Sequence, residues 1–295
     1  MQKIAKAQQD LIKVCRNYLT RENQNNIDVD ISPLCFFTVW ADTPGRYKVF
    51  DLLNEKKISK YLFILKNIFS ISKDFDLKLY ESGTNIKPEI NTVIISYSKK
   101  SNFDKKGNFN DSYFGFSSKN KNFFWFLISL DNYVPKKIKH NISIVAKKSN
   151  NSISISYLIK FLSKNFFSNI FSIKRINHYC WREFNFSKRI TELFYSYYQN
   201  SKVKNVILNY EGIPFQNNLL KKLKEKNKKI KTLGYLHCAP WPIQLDLLYK
   251  KQQLDYLLVS SLDQKKVLHK YLGWKNKNIT VIPSLRFIKN KKKEF

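Results

Sequence analysis

Four places in the chain put a reactive side chain directly after a short β-type run. Tyr210, Glu211 and Gly212 follow "VKNVILN", and His237 follows "KTLGYL". Ser260 and Ser261 follow "DYLLV", and Arg286 follows "ITVI" and a Pro-Ser-Leu step. A carboxylate and an imidazole together suit general acid–base chemistry on a hydroxyl group. Hydroxyls can position a polar ligand, and a guanidinium suits a phosphate. Each residue also has a structural alternative. Glu211 could complement the N-terminal dipole of the helix that follows. His237 could be a satisfied, partly buried histidine. Ser260 and Ser261 suit a loop and a helix cap ahead of Asp263. Arg286 could lie in a solvated stretch.

Elements must bring these residues together, and the C-terminal third supplies a regular alternation. "VKNVILNY", "KTLGYLH", "DYLLVSS" and "ITVIP" read as strands. "FQNNLLKKLKEKN", "LDLLYKKQ" and "LDQKKVLHKYLG" read as helices between them, the last ending at Gly273. Upstream, "TVIISY" and "FFWFLISL" read as strands, "NISIVAK" as a third, and a polar loop holding "NDSYFG" separates the first two. "ISYLIKFLSKNFFSNIF" and "SKRITELFYSYYQ" read as helices. Strand–helix alternation at this spacing predicts a parallel sheet with helices on both faces, a doubly wound Rossmann-like α/β domain over residues 89–287. Residues 1–88 read as a mixed α/β region, with a helix over 2–20, a buried strand at "LCFFTVWA" and one or two helices from Tyr47. Residues 288–295 read as a basic tail. In open parallel sheets, ligands bind beyond the carboxyl ends of the strands. That rule turns the four separate positions into one candidate crevice.

Several chemistries lack their motifs. No GxGxxG follows a strand, and Walker A, HExxH and GxSxG patterns are missing from the sequence. The four cysteines form no CxxC pair and no zinc-type spacing with histidine, so no metal is expected. They suit reduced thiols and a cytoplasmic setting. The net charge of +31 ordinarily points to an acidic partner. Here lysine is scattered along a chain rich in Asn, Ile, Phe and Tyr, a pattern that AT-rich coding produces by itself, and base-reading motifs are missing. Nucleic acid is therefore the least favoured partner. Lysines beside aromatic residues leave peripheral contact with an anionic membrane open. The longest apolar run, Phe123–Leu130, is too short to span a bilayer.

"YEGIPFQNNLLKKLKEKNKKIKTLGYLHCAPWP" resembles bacterial surface-carbohydrate (polysaccharide and O-antigen) biosynthesis proteins similar to GT-B glycosyltransferases. The matching positions are Tyr210, Glu211, Gly212 and Phe215, then Gly234, Tyr235 and His237. "PSLRF" resembles the segment closing the family's first domain. "TVWADTPGRYKVFDLL" and "NDSYFGFSSKNKNFFWFLISL" resemble upstream segments, with Asp42 where a glutamate is expected. The resemblance implies a GT-B N-terminal-domain-like fold that holds a glycan or lipid-linked sugar acceptor. It implies Glu211 or His237 as the base, with the other as its partner. Tyr210, Gly212, Tyr235 and Arg286, together with Ser260 and Ser261 from their place at a strand end, are the expected substrate-binding residues. A nucleotide sugar is the expected donor, held by a second domain or a second polypeptide. This chain is expected to bind no cofactor itself, because it ends eight residues past "PSLRF" without that second domain. The expectation is an acceptor-side fragment or half of a split enzyme. The alternative is a non-catalytic binding or scaffold protein with the same fold.

Overall fold

The computed structural model describes residues 77–82, 91–147, 182–198, 203–237, 247 and 254–285. The elements expected before residue 77, the helix over "ISYLIKFLSKNFFSNIF" and all but Leu247 of the "LDLLYKKQ" helix lie outside the described residues, as does Arg286.

Eight strands form one sheet. They are β1 (Leu77–Glu81), β2 (Thr92–Ser98), β3 (Phe124–Ser129), β4 (Ile142–Lys147), β5 (Asn205–Asn209), β6 (Lys231–Tyr235), β7 (Tyr256–Val259) and β8 (Ile279–Val281). Their spatial order is β1-β4-β3-β2-β5-β6-β7-β8. Every pairing is parallel except β1 with β4. Three α-helices are described: α1 (Arg182–Tyr198), α2 (Pro214–Lys226) and α3 (Leu262–Lys270). The chain is thus α/β with a mostly parallel, Rossmann-like sheet. None of the described helices is long and apolar enough to cross a membrane.

The central strands read as unbroken apolar runs because both of their faces are covered. Ile95, Phe126, Val206, Leu208 and Leu257 belong to one core. The described helices pack there. α1 contributes Ile190, Leu193, Phe194, Tyr197 and Tyr198, and α2 contributes Phe215, Leu219, Leu220 and Leu223. Both sets recur at three- and four-residue spacing, one stripe of a helix. The opposite face carries a second core of Ile94, Trp125, Leu127, Ile144 and Tyr235. Helices were expected on that face too. Among the described residues it is instead covered by loop side chains, including Phe109 and Phe114 after β2 and Val134 and Ile138 after β3. The β2–β3 loop contains no α-helix. It is tied by short-range hydrogen bonds, such as Asp104 Oδ1 accepting from the Lys106 and Asn108 N–H groups. Asx turns of this kind fold a polar segment without a helix.

The edge strand β1 was not anticipated. "LKLYE" alternates over only five residues and carries charges at Lys78 and Glu81, so its sequence pattern is weak. Its partner β4 supplies the missing definition through an antiparallel register from Leu77–Lys147 to Glu81–Ser143.

Candidate functional site

The sheet order reverses direction between β2 and β5, which pair in parallel from Thr92–Asn205 to Ile95–Leu208. This is the topological switch point, where connections leave on both sides and a crevice opens beyond the carboxyl ends. β5 ends there at Asn209, and the next residues turn sharply into α2. Gly212 takes a positive φ of 75°, which an L side chain rarely adopts. Pro214 starts the helix at a position where its missing N–H costs nothing.

One side chain holds this turn. Gln216 accepts from the Glu211 N–H at 2.9 Å and the Gly212 N–H at 3.1 Å, and donates to the Asn209 carbonyl at 2.6 Å. Asn217 donates to the Gly212 carbonyl and accepts from the Tyr210 hydroxyl. Asn218 donates to Thr191 Oγ1 at 2.9 Å, fixing α2 to α1. All three amides are buried. Three consecutive buried polar residues, pointing in different directions around the first turns of the helix, are tolerated because each makes hydrogen bonds.

His237 lies two residues beyond β6. Its Nδ1 meets Asn209 Oδ1 at 2.5 Å, and its Nε2 stands 3.7 Å from Glu211 Oε1. With the amide oxygen toward the ring, Nδ1 carries the proton and Nε2 presents its lone pair to the Glu211 side. The imidazole side chain is 6% exposed and the carboxylate side chain 34% exposed, so the pair has a sheltered and a solvent-reaching member. Burial raises the Glu211 pKa above its ordinary value of 4.5. The Tyr113 ring packs edge-on against the imidazole, centroids 4.6 Å apart. Tyr113 is placed in turn by Asp111, which accepts from the Tyr113 and Phe114 N–H groups and from Ser96 Oγ. Tyr97, at the end of β2, contacts both Tyr113 and Phe215. Burial pushes its hydroxyl pKa well up, and the Glu211 and Tyr113 charges add to the rise.

Among the described residues, two buried polar atoms at the carboxyl ends of the adjacent strands β2 and β5 make no hydrogen bond, Ser98 Oγ and Asn209 Nδ2. Buried groups of this kind are normally satisfied.

Of the residues expected from sequence, the structure brings Glu211 and His237 together, with Gly212 shaping the turn between β5 and α2. Tyr210 and Tyr235 sit inside instead. Both are fully buried, with the Tyr210 hydroxyl on Asn217 and the Tyr235 hydroxyl accepting from the Leu285 N–H. Ser261 is the N-cap of α3, accepting from the Gln264 N–H, and Ser260 Oγ donates to Gln264 Oε1. The cap alternative describes these serines. Asn209, Tyr97, Asp111, Tyr113 and Gln216 were missed as contributors. "NDSYFG" and "FQNN" were visible as polar stretches, but nothing local says which side chain reaches the imidazole. Among the described residues no group of three or more His, Cys, Asp or Glu could hold a metal ion.

No protein-family model, no curated protein and no solved structure matches the chain.

Chemically, the arrangement is an acid–base pair with a positioned imidazole. Asn209 fixes the ring, Nε2 can receive a proton, and the Glu211 carboxylate beside it stabilises the imidazolium that results.

Proposed function

We propose that the chain is the acceptor-side domain of a glycosyltransferase-like protein in surface polysaccharide biosynthesis. The observation that carries this reading is the Glu211–His237 pair, set at the carboxyl edge beside the switch point with its ring fixed by Asn209. The reading also rests on the resemblance of residues 210–237 to such proteins.

In this mechanism an acceptor hydroxyl gives its proton to His237 Nε2 as its oxygen bonds to the anomeric carbon of the donor sugar. The bond from that carbon to the donor phosphate breaks, and the nucleotide leaves with the electron pair. Glu211 stabilises the charged ring during transfer. The nucleotide sugar is held by a donor-binding domain or partner polypeptide. A fixed base contributes about 10²-fold or more to such a step.

The test is transfer of a labelled sugar from a panel of nucleotide sugars to glycan or lipid-linked acceptors, with the donor-binding component present. His237→Ala and Glu211→Gln should each lower kcat by about 10²-fold, the scale of positioned acid–base catalysis. Near-wild-type rates for both variants would remove this pair from the chemistry. Failure of all acceptors to bind or react would remove the glycosyltransferase reading.

A further inference from the structure

A concave region lies at the other end of the sheet from the Glu211–His237 pair. It is a groove of about 1080 Å³ lined by the C-terminal end of α2, the turn into β6 and the amino-terminal ends of β6 and β7, with Lys277 and Asn278 ahead of β8. Glu211 and His237 lie beyond the carboxyl ends of β5 and β6, so the two regions occupy opposite edges.

Four of the groove's lysines, Lys224, Lys228, Lys229 and Lys231, already lie together in the sequence, and folding adds Lys277 to them. Five of the eleven lining residues are lysine, against 53 lysines and arginines together in 295 residues. Lys224 is committed structurally, since its Nζ donates to Asp255 Oδ2 and to the Ile230 carbonyl. Asp255 is committed with it, accepting also from the Thr232 N–H and hydroxyl. That leaves Lys228, Lys229, Lys231 and Lys277, all exposed and without an ion pair among the described residues. The opposing charges are Glu225 and the partial negative charge, about half a unit, of the α2 C-terminus. Four ammonium groups exceed both. Tyr256, which opens β7, lines the same groove and is 50% exposed.

We infer that this groove binds a nucleoside polyphosphate or a closely similar phosphate-rich anion. The phosphates lie on Lys228, Lys229, Lys231 and Lys277, and the base lies on the Tyr256 ring. Ammonium–phosphate hydrogen bonds are the stronger, charge-assisted kind. An exposed aromatic ring beside a basic groove supplies a face on which any base can stack. The inference is independent of the proposed sugar transfer, because no residue is shared with the Glu211–His237 site.

Isothermal titration of the full chain with ATP and, separately, with inorganic tripolyphosphate tests it. One saturable site is expected at low ionic strength, weakening as salt rises. Lys228→Ala/Lys229→Ala and Lys231→Ala/Lys277→Ala should each weaken both ligands about tenfold, through loss of two charge-assisted contacts. Lys105→Ala/Lys106→Ala removes the same charge from the β2–β3 loop and should leave affinity within about twofold, as expected for screened distant charges. Tyr256→Ala should weaken ATP about fivefold or more and leave tripolyphosphate unchanged, since only ATP has a base to stack. Equal weakening by the loop control, or many equivalent weak sites, would mean diffuse attraction to a basic chain and overturn the groove. Equal affinity for both ligands with no effect of Tyr256→Ala would overturn the nucleoside and leave free oligophosphate as the occupant.

Discussion

Asn209 and His237 are 28 residues apart in the chain, and their side chains meet at the carboxyl edge of two adjacent parallel strands, Oδ1 against Nδ1. The other ring nitrogen, Nε2, stands 3.7 Å from Glu211 Oε1. The same asparagine has its amide nitrogen buried without a hydrogen-bond partner among the described residues.

Glu211 should make stability depend on pH in a defined direction. Burial raises its folded-state pKa above 4.5, so the native chain binds more proton than the unfolded chain in the window between those values. Stability therefore falls as pH rises through that window. Glu211→Gln removes the effect. Urea unfolding across pH should show the variant gaining on wild type from about pH 4.5 upward, the ordinary carboxyl value, with no difference well below it. A variant that loses stability relative to wild type as pH rises would show that the ion pair with His237, rather than desolvation, governs this carboxyl.

Gln216 should be a large stability determinant for a polar residue. Gln216→Leu keeps the bulk but strips partners from two N–H groups and one carbonyl in a buried turn. Unsatisfied buried groups cost about 1 to 3 kcal/mol each, with partial relief by water, so a loss of about 2 to 4 kcal/mol is expected. The urea midpoint should drop with an unchanged slope. A loss below about 0.5 kcal/mol, the scale of neutral surface changes, would mean the turn holds without its amide bridge.

Gly234 is required by space. A Cβ there would stand 2.3 Å from Leu254 Cδ1 and 2.8 Å from Tyr210 Cβ. The Leu254 methyl can rotate away, but Tyr210 Cβ is fixed to the backbone just after β5. Gly234→Ala should cost about 1 to 3 kcal/mol by overpacking. Thermal unfolding of the full chain checks this, and an unchanged Tm would mean β6 can shift away from β5.

Much of the scaffold was legible in single segments. β2, β3 and β5 to β8 follow from short β-branched and aromatic runs, α2 and α3 from three- and four-residue apolar spacing, and the Ser261 cap from its place ahead of Asp263. Glu211 and His237 were also reachable, because a parallel sheet gives all such strand ends one common edge. The interior placement of Tyr210 and Tyr235 was not. Alternation along a strand tells which residues share a face, but not whether a neighbouring segment covers that face beyond the strand end.

The sequence by itself determined the α/β class, the strand–helix alternation of the C-terminal third and the two reactive side chains just beyond β5 and β6. These depend on periodicity and turn chemistry, which act over a few residues. Only the tertiary structure decided that β2 lies beside β5, that Asp111 brings Tyr113 onto the imidazole, and that Asn209 fixes the ring. It also decided that Lys277 joins Lys228, Lys229 and Lys231, none of them ion-paired among the described residues, in one groove with Tyr256. Those relationships come from strand pairing and loop packing between segments tens of residues apart. Their free energy belongs to pairs of segments, so neither segment carries it alone.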